Sequence, residues 1–316
     1  MKKLSLAQLP TPIQPIHLPT LKTEKQLFIK RDDYTGTECS GNKIRKLEYC
    51  LQEALDQGAE DIITSGALQS NHCRATAAAC ARLGLRCHLV LKGNPTQPLE
   101  GNLFLDQLFG SSLYLVSEEA GLKAKVSELA HKLSKKGPAP YLIPMGASNA
   151  TGSQGYVDCY EEIIEQEKKL NRRFDTIVVA VGSGGTYAGL WQANQRQADP
   201  RTLIGFSVLY PSHEIKPIIE KIIHQMPPHP ATINDILVID SYIGLGYGKY
   251  TPAELTFYAE VAHQTGIVLD PTYTGKAFRG LCQEINDLPG ENILFIHTGG
   301  LMGWTQEMRN SLFPPR

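Results

Sequence analysis

The sequence predicts an α/β protein built on parallel sheets, and two observations support this prediction. Short apolar stretches typical of buried strands alternate along the chain with stretches of about 10–15 residues that have helical spacing. Several of the strand-like stretches also run directly into glycine-rich or polar turns, as strands of an α/β fold do. Ligands of such folds bind beyond the carboxyl ends of the strands, so these turns are where a functional site is expected.

The predicted strands are short apolar runs that end in turn residues. In chain order they are QLFIKRDD from Gln26, DIITSG from Asp61, RCHLVLKG from Arg86, SLYLV from Ser112, APYLIPMG from Ala139, DTIVVAVG from Asp175, LIGFSVL from Leu203 and NILFIHTGG from Asn292, which completes the strand list. Residues 43–57 are predicted to be a helix that Gly58 ends, and residues 73–82 a helix that Gly84 ends. Further helices are predicted in NLFLDQLFG from Asn102, KAKVSELAHKLSKKG from Lys123 and YAGLWQANQ from Tyr187.

Size and composition narrow the class of protein. The 316 residues suffice for one large or two ordinary domains, and the net charge of −1 gives no electrostatic basis for binding nucleic acid or an anionic membrane. This nearly neutral charge balance favours a small-molecule partner. We expect no signal peptide, because the N-terminal apolar run is broken early, and no membrane span, because no later stretch is long and apolar enough. The seven cysteines include no C-x-x-C pair, so we expect reduced thiols, a cytoplasmic protein and no metal site.

A glycine turn, GSGGT, follows the strand from Asp175 and precedes a helix. It comprises Gly182, Ser183, Gly184, Gly185 and Thr186. Outward-facing N–H groups and the helix N-terminus would attract an anion such as phosphate. The turn matches neither the dinucleotide nor the triphosphate motif. The alternative is a tight turn without a ligand.

The stretch SGALQSNH also lies between a predicted strand and a helix. Ser70, Asn71 and His72 follow Gln69, so four consecutive side chains can form hydrogen bonds at the end of a buried strand. One of them is explained by helix capping, with Ser70 or Asn71 as the N-cap. Four together suggest a binding site, and both interpretations stay open from the residues alone.

Lys43 lies near the start of its helix and off the apolar stripe. A helix N-terminus disfavours an ammonium and lowers its pKa, and burial would lower it further. A neutral amine is a better nucleophile towards an aldehyde and a better base. Lys46, one turn later, could remain charged near a phosphate. The plain alternative for Lys43 is a solvated surface lysine.

Three later stretches add hydroxyl groups: GLGYG with Tyr247, DPTYTGKAF with Tyr273 and Thr274, and HTGG with Thr298. Each alone is explained as an ordinary turn. Together with a phosphate turn and a lysine favoured as a free amine, they are the groups that pyridoxal 5'-phosphate (PLP) requires.

At this point the sequence closely resembles the D-cysteine desulfhydrase and 1-aminocyclopropane-1-carboxylate deaminase family of PLP enzymes. This family belongs to fold type II, the tryptophan-synthase-β-like group. The matching stretches occur in family order between residues 29 and 300, and they are IKRDDYTG, SGNKIRKLE, GALQSNHCR, VGSGGTYAG, GLGYG, LDPTYTGKA and HTGG.

The resemblance implies two α/β domains, each with an open, twisted, mostly parallel sheet flanked by helices, and PLP in the cleft between them. The small domain would comprise residues 46–155 and the large domain residues 1–45 and 156–316. Family members are typically homodimers, so a homodimer is expected.

The resemblance also implies residue roles. Lys43 forms the Schiff base with PLP, and Asn71 binds the cofactor's 3'-oxygen. The turn from Gly182 to Thr186 holds the phosphate with help from Lys46. Ser70, Asn71 and His72 bind the substrate carboxylate, and Tyr247 and Tyr273 approach the reacting carbon.

The residue after the second tyrosine points to the substrate. Ring-opening deaminases of the family have glutamate there, near the pyridine nitrogen, whereas this chain has Thr274, as the D-cysteine desulfhydrases do, with Thr298 as a further neighbour. A hydroxyl supplies no negative charge and cannot hold a proton on the pyridine nitrogen, so the cofactor ring would be a weaker electron sink. A weaker sink suits expulsion of a good leaving group such as thiolate more than ring opening. We therefore expect β-elimination on D-cysteine. The alternatives are the cyclopropane-carboxylate deaminase, a lyase that expels sulfite or chloride, and a PLP-retaining or nucleotide-binding protein without turnover.

Overall fold

The computed structural model describes residues 1–94, 96–230, 232–233 and 235–314. The strands are β1 Ile13–Pro15, β2 Gln26–Lys30, β3 Asp61–Ala67, β4 Arg86–Lys92, β5 Ser112–Val116, β6 Tyr141–Leu142, β7 Thr176–Val181, β8 Thr202–Ser207, β9 Leu237–Ile239 and β10 Asn292–Ile296. The α-helices are α1 Asn42–Asp56, α2 Asn71–Leu83, α3 Gly101–Leu108, α4 Glu119–Ser134, α5 Ala150–Leu170, α6 Gly185–Asn194, α7 Ser212–His224, α8 Pro252–Thr265, α9 Thr274–Glu284 and α10 Gln306–Leu312.

The strands form two sheets, which confirms the predicted α/β class. The larger sheet has the order β1-β2-β10-β7-β8-β9 and the smaller has the order β5-β4-β3-β6. Every strand pair is parallel except β1 with β2. The smaller sheet uses a continuous part of the chain, whereas the larger sheet takes strands from both ends.

Two three-residue strands, β1 and β9, are absent from the predicted strand list, so that list was incomplete. Both lie at the edges of the larger sheet and are too short to show an alternating pattern. The predicted strand from Ala139 shrinks to Tyr141–Leu142. It lies between Pro140 and Pro144, and proline cannot donate to a sheet.

Helices α5, α7, α8, α9 and α10 are also additions to the predicted elements. The largest, α5, has 21 residues and buries Tyr156, Tyr160 and Ile163 against the larger sheet's core. Asn149 is its N-cap, and the Asn149 side chain accepts a hydrogen bond from the backbone N–H of Gly152. The glycines at 152 and 155 near its start weakened the helical signal in the sequence.

Strands at the centre of the larger sheet are buried on both faces, as parallel strands covered by helices are. Val178 and Val179 of β7 and Ile293 and Phe295 of β10 are fully buried. The carboxyl ends of β7, β10 and β3 are followed by the turns at Gly182, Thr298 and Ser70. Among the described residues, no helix is long and apolar enough to cross a membrane.

Candidate active site

One cavity of about 1160 Å³, including the open solvent at its mouth, brings most of the predicted site residues together. Those that line it are Lys43, Ser70, Asn71, His72, Gly182, Ser183, Gly184, Thr186, Tyr247, Tyr273 and Thr298. Lys46, Gly185 and Thr274 do not line it. The cavity walls therefore come from the ends of β3, β7 and β10, the start of α1 and the two tyrosine-bearing turns.

Lys43 is the second residue of α1 and is half-buried. Burial lowers the pKa of its amine from 10.5 to about 8, and the Asp270 carboxylate acts in the opposite direction. At pH 7 roughly a tenth of the amine is therefore neutral, far more than for an ordinary lysine, so Lys43 can act as a nucleophile or a base.

The start of α1 is fixed to the larger sheet. The backbone N–H of Asn42 donates to the Thr298 carbonyl at 3.0 Å, and its side-chain amide donates to the Thr186 hydroxyl at 3.0 Å. Gly41 precedes it with a φ of 102°, and a Cβ there would lie 2.7 Å from the Thr298 carbonyl oxygen. Only glycine permits this approach, which sets the position of Lys43.

The glycine turn begins helix α6. Gly184 is its N-cap with a φ of 84°, and the first N–H groups of the ten-residue helix have no carbonyl partner within it. Behind the turn, a Cβ on Gly185 would lie 2.6 Å from Lys46 Nζ and 2.7 Å from Ser148 Oγ. The turn is thus tightly backed by polar groups and suits an anion such as phosphate.

Lys46 lies behind this turn instead of at the cavity surface. Its ammonium donates to the Gly146 carbonyl at 2.6 Å and to Ser148 Oγ at 2.9 Å, and Ser148 Oγ is 2.7 Å from Ser183 Oγ. Burial and the neighbouring Lys43 hold the pKa of Lys46 well below its ordinary value. Ser148, which was not predicted, connects Lys46 to the turn.

Ser70, Asn71 and His72 begin helix α2. Ser70 caps the helix by accepting from the Cys73 backbone N–H at 3.3 Å, and it also lines the cavity, so capping and site placement coexist. His72 is buried, and its Nε2 lies 2.8 Å from Thr64 Oγ1, whose hydrogen is donated to the Ile143 carbonyl. The hydroxyl must therefore accept from His72 Nε2–H, which leaves Nδ1 as an acceptor without a partner among the described residues.

Tyr247 and Tyr273 form a pair with their hydroxyl oxygens 2.8 Å apart. Burial raises the pKa of Tyr247 to about 12 and raises that of Tyr273 well above its ordinary value, so both phenols are protonated at neutral pH. The turn that carries Tyr247 is held from α9, because Lys276 Nζ donates to the carbonyls of Ile243 at 2.7 Å and Gly246 at 2.6 Å.

Asp270 is a buried carboxylate that the sequence prediction omitted. It accepts hydrogen bonds from the backbone of Thr272, Tyr273 and Thr274 and from the Thr274 hydroxyl at 2.8 Å. The Thr274 hydroxyl also accepts from the Asp270 backbone at 2.8 Å, so its hydrogen is committed to the carboxylate. Asp270 lies in LDPTYTGKA, where an aspartate three residues before the second tyrosine was the available signal.

The donor set fits PLP. The cavity offers an amine with a lowered pKa, a helix N-terminus for a phosphate and several hydroxyl and amide groups between them. No group of three or more potential metal ligands occurs among the residues described.

Comparisons with known proteins agree with this geometry. Residues 4–299 match the family described as "Pyridoxal-phosphate dependent enzyme". The bifunctional D-cysteine desulfhydrase/1-aminocyclopropane-1-carboxylate deaminase of Arabidopsis thaliana, a mitochondrial protein, is 44% identical over 95% of this chain and 78% of its own. The D-cysteine desulfhydrase of Serratia proteamaculans is 37% identical over 94% of this chain and 93% of its own.

A solved structure of an ACC deaminase homologue, where ACC is 1-aminocyclopropane-1-carboxylate, superimposes with a TM-score of 0.88 at 36% identity. It covers 98% of this chain and 95% of that one. The family match over most of the chain, and relatives of this identity and coverage, agree with the resemblance found in the sequence. The chain therefore belongs to the family of pyridoxal-phosphate-dependent enzymes, with PLP as its cofactor.

Proposed function

We propose that this protein catalyses β-elimination on D-cysteine, which yields 2-aminoacrylate and hydrogen sulfide. The released aminoacrylate is hydrolysed by one water molecule to pyruvate and ammonia. The observation that carries the proposal is the cavity in which the Lys43 amine, the phosphate-type turn and the protonated tyrosine pair converge. The names of the Arabidopsis and Serratia relatives support D-cysteine as the substrate.

PLP would be held covalently by Lys43, by the backbone of the turn from Gly182 to Thr186, and by the Asn71 amide. Lys46 and Ser148 would support the turn from behind. Thr298 lines the cavity, whereas Thr274 does not and can influence the cofactor only through the residues that it contacts. Bound there, PLP supplies an electron sink for the charge left when a bond to the amino acid's Cα breaks.

The chain's own groups would then move protons. Lys43 Nζ, once free of the cofactor, would take the proton from Cα, because burial lowers its pKa and so makes the neutral amine more accessible than in an ordinary lysine. A phenol of the Tyr247–Tyr273 pair donates a proton to the departing sulfur, since both hydroxyls remain protonated at neutral pH. The Ser70 hydroxyl and the backbone N–H groups of Asn71 and His72, at the N-terminus of α2, would orient the substrate carboxylate. The His72 side chain has no donor left for it, because its Nε2–H is given to Thr64.

The second candidate is opening of the cyclopropane ring of 1-aminocyclopropane-1-carboxylate to 2-oxobutyrate and ammonia. The name of the Arabidopsis relative, which includes both activities, favours it. A related lyase that expels sulfite or chloride uses the same groups. Thr274 in place of glutamate favours the thiolate leaving group over ring opening.

We also propose that residues 46–155 form a small domain and residues 1–45 and 156–316 a large one, with the cavity between them. The separate four-stranded and six-stranded sheets support this division. We propose a homodimer in the cytoplasm. All seven cysteines are free, and six of them are buried, as expected in a reducing compartment.

The test measures sulfide and pyruvate from D-cysteine, L-cysteine and D-cysteate in parallel with 2-oxobutyrate from the cyclopropane acid. We expect the D-cysteine reaction to dominate. Dominant 2-oxobutyrate production would select the second candidate, and the absence of any keto acid would contradict an elimination.

A separate measurement locates the cofactor. Borohydride reduction, digestion and mass spectrometry should find the reduced cofactor on the peptide that contains Lys43. Lys43→Ala should lose both the visible absorbance of the bound cofactor and turnover. The control, Lys132→Ala on the exposed surface of α4, should retain both.

A further inference from the structure

We propose that Asn102, backed by Arg74, is a positioning residue that fixes the Asn71 side chain as a hydrogen-bond donor towards the cavity. The inference rests on the proposed function, because Asn71 is there taken to contact the cofactor. Neither residue lines the cavity, so both act through Asn71.

Arg74 sets the orientation of the Asn102 amide. Arg74 is buried on α2, and its Nε donates to Asn102 Oδ1 at 3.0 Å. A guanidinium has donors only, so the oxygen of the Asn102 amide must face Arg74. The amide nitrogen of Asn102, which is fully buried on α3, therefore faces the other way.

Asn102 in turn sets the orientation of the Asn71 amide. Asn102 Nδ2 has two hydrogens and donates one to the Gln69 carbonyl at 2.9 Å and the other to Asn71 Oδ1 at 2.9 Å. Because the oxygen of the Asn71 amide is occupied by this donor, the Nδ2 group of Asn71 is directed away from Asn102. The backbone N–H of Asn102 also donates to Gln69 Oε1 at 2.9 Å, which holds α3 against this turn.

This orientation of Asn71 determines which ligand atoms it can bind. Asn71 is half-buried and lines the cavity, so the amide presents N–H donors to a bound molecule. Such a donor suits an oxygen that is an acceptor or an anion, and the 3'-oxygen of PLP has this chemistry. A rotated amide would present an oxygen instead and would repel it.

Arg74 also connects this amide to the cofactor lysine. Its other guanidinium nitrogens donate to the backbone carbonyls of Glu38 and of Ser40, the latter at 2.8 Å, in the segment that leads into α1. One buried cation therefore orients the Asn71 amide through Asn102 and the backbone that precedes Lys43.

The variant Asn102→Asp tests the proposal. A carboxylate would still accept from Arg74, but it could only accept from Asn71, so the Asn71 amide would turn and direct its oxygen into the cavity. We expect the dissociation constant for PLP, measured by absorbance titration of the apoprotein, to rise about tenfold. We also expect the absorbance maximum of the bound cofactor to shift. An unchanged dissociation constant would overturn the proposal.

A double-mutant cycle separates positioning from general damage. In an Asn71→Ala background, Asn102→Asp should change PLP affinity by less than about twofold, because its effect passes through Asn71. Additive losses would mean that Asn102 acts structurally and would overturn the proposal. Asn102→Ala provides the same cycle without an added charge if the aspartate variant does not fold.

The same experiments distinguish this inference from the proposed function. If reduction of the wild-type protein labels a peptide other than that of Lys43, the proposed function fails. If it labels Lys43 while the effects of the two substitutions add, only the role of Asn102 fails.

Discussion

At the scale of single residues, the lowered pKa of Lys43 makes its amine more reactive but also destabilises the folded chain. Its pKa is about 8 in the folded chain, against an ordinary value of 10.5. A lysine with a lowered folded-state pKa destabilises the fold while it is charged in both states, below about pH 8. The penalty disappears as the pH rises from about 8 to about 10.5.

Lys43→Met should therefore stabilise the apoprotein. At pH 7 we expect the free energy of unfolding in urea to rise by up to about 3 kcal/mol, and we expect the gain to fade as the pH approaches 10.5. Lys132→Met, on the exposed surface of α4, should leave the free energy of unfolding unchanged. A less stable Lys43→Met apoprotein would show that Lys43 does not carry this penalty.

The residues of the cavity differ in how far the sequence predicted them. Lys43, the turn from Gly182 and the tyrosines stand out because each follows a glycine-rich or polar motif. Asp270 and Asn102 were missed as site residues because their roles depend on hydrogen bonds that only the folded structure shows. Asn102 reaches Asn71 across 31 positions, and nothing local to either residue indicates that contact.

At the scale of elements, the turn into α6 depends on the absence of a side chain at Gly185. A methyl group there would press on Lys46 Nζ at 2.6 Å and Ser148 Oγ at 2.7 Å, both part of the support of the turn. The conformation of the turn is thus coupled to a lysine on α1, which is far away in the sequence.

Gly185→Ala should consequently weaken PLP binding by about tenfold or more, because Lys46 or the turn must move. Equilibrium dialysis of the apoprotein with PLP measures this. Gly137→Ala is the matched control, since a Cβ at Gly137 would meet nothing within 4 Å. Equal affinities of the two variants would contradict a role for close packing at Gly185.

Helix α9 supports the turn that carries Tyr247. Lys276→Met removes both hydrogen bonds to the carbonyls of Ile243 and Gly246, so this turn should lose its fixed position. We expect kcat for sulfide release to fall about tenfold while the absorbance of bound PLP stays unchanged, because Lys276 does not line the cavity.

The control for this prediction is Lys249→Met, an exposed lysine next to the same turn, which should retain full turnover. If Lys276→Met loses its cofactor instead of its rate, Lys276 stabilises the whole site and not this turn alone.

The elements themselves were predicted unevenly. Strands β2, β3, β4, β7, β8 and β10 follow from their apolar runs, because buried parallel strands are apolar on both faces. The edge strand β5 also has an apolar run, although none of its residues is buried. The edge strands β1 and β9 depend on neighbours that supply their hydrogen bonds, and three residues carry no periodicity of their own. These two strands form only because the folded chain places those neighbours beside them.

At the scale of the whole molecule, a buried ionic cluster around Asp32 ties together distant parts of the chain. Its carboxylate accepts from Arg45 Nε at 2.9 Å on α1, from the Thr11 hydroxyl at 2.7 Å and from the Tyr156 hydroxyl at 2.6 Å on α5. Arg45 also pairs with Glu162 at 3.0 Å. Helix α1, which carries Lys43, is thereby attached to α5 and to the N-terminal segment.

Asp32→Asn should destabilise the protein by about 3–5 kcal/mol at pH 7, because it removes a negative charge that compensates the positive charge of the buried Arg45. Arg45 and its other partners lower the pKa of Asp32 from 3.8 to about 2 although burial opposes them. The stability that this carboxylate provides is therefore present above pH 3.8 and is lost as the pH falls through about 2.

Urea unfolding of the wild type and the variant between pH 7 and pH 2 measures both effects, and the difference should shrink at the acid end. Asp199→Asn, at a largely exposed position, should behave like the wild type. A constant difference down to pH 2 would show that the charge of Asp32 is not what stabilises the cluster.

The distance along the chain between Lys43 and the turn at Gly182 has a consequence for the amount of protein in a cell. A molecule fastened to the lysine at one end and seated in the turn at the other acts as a brace between two remote segments, and it stabilises the folded form by mass action. Chains made when vitamin B6 is scarce would lack this brace and would be degraded faster. Scarcity would then reduce the quantity of the enzyme as well as its loading.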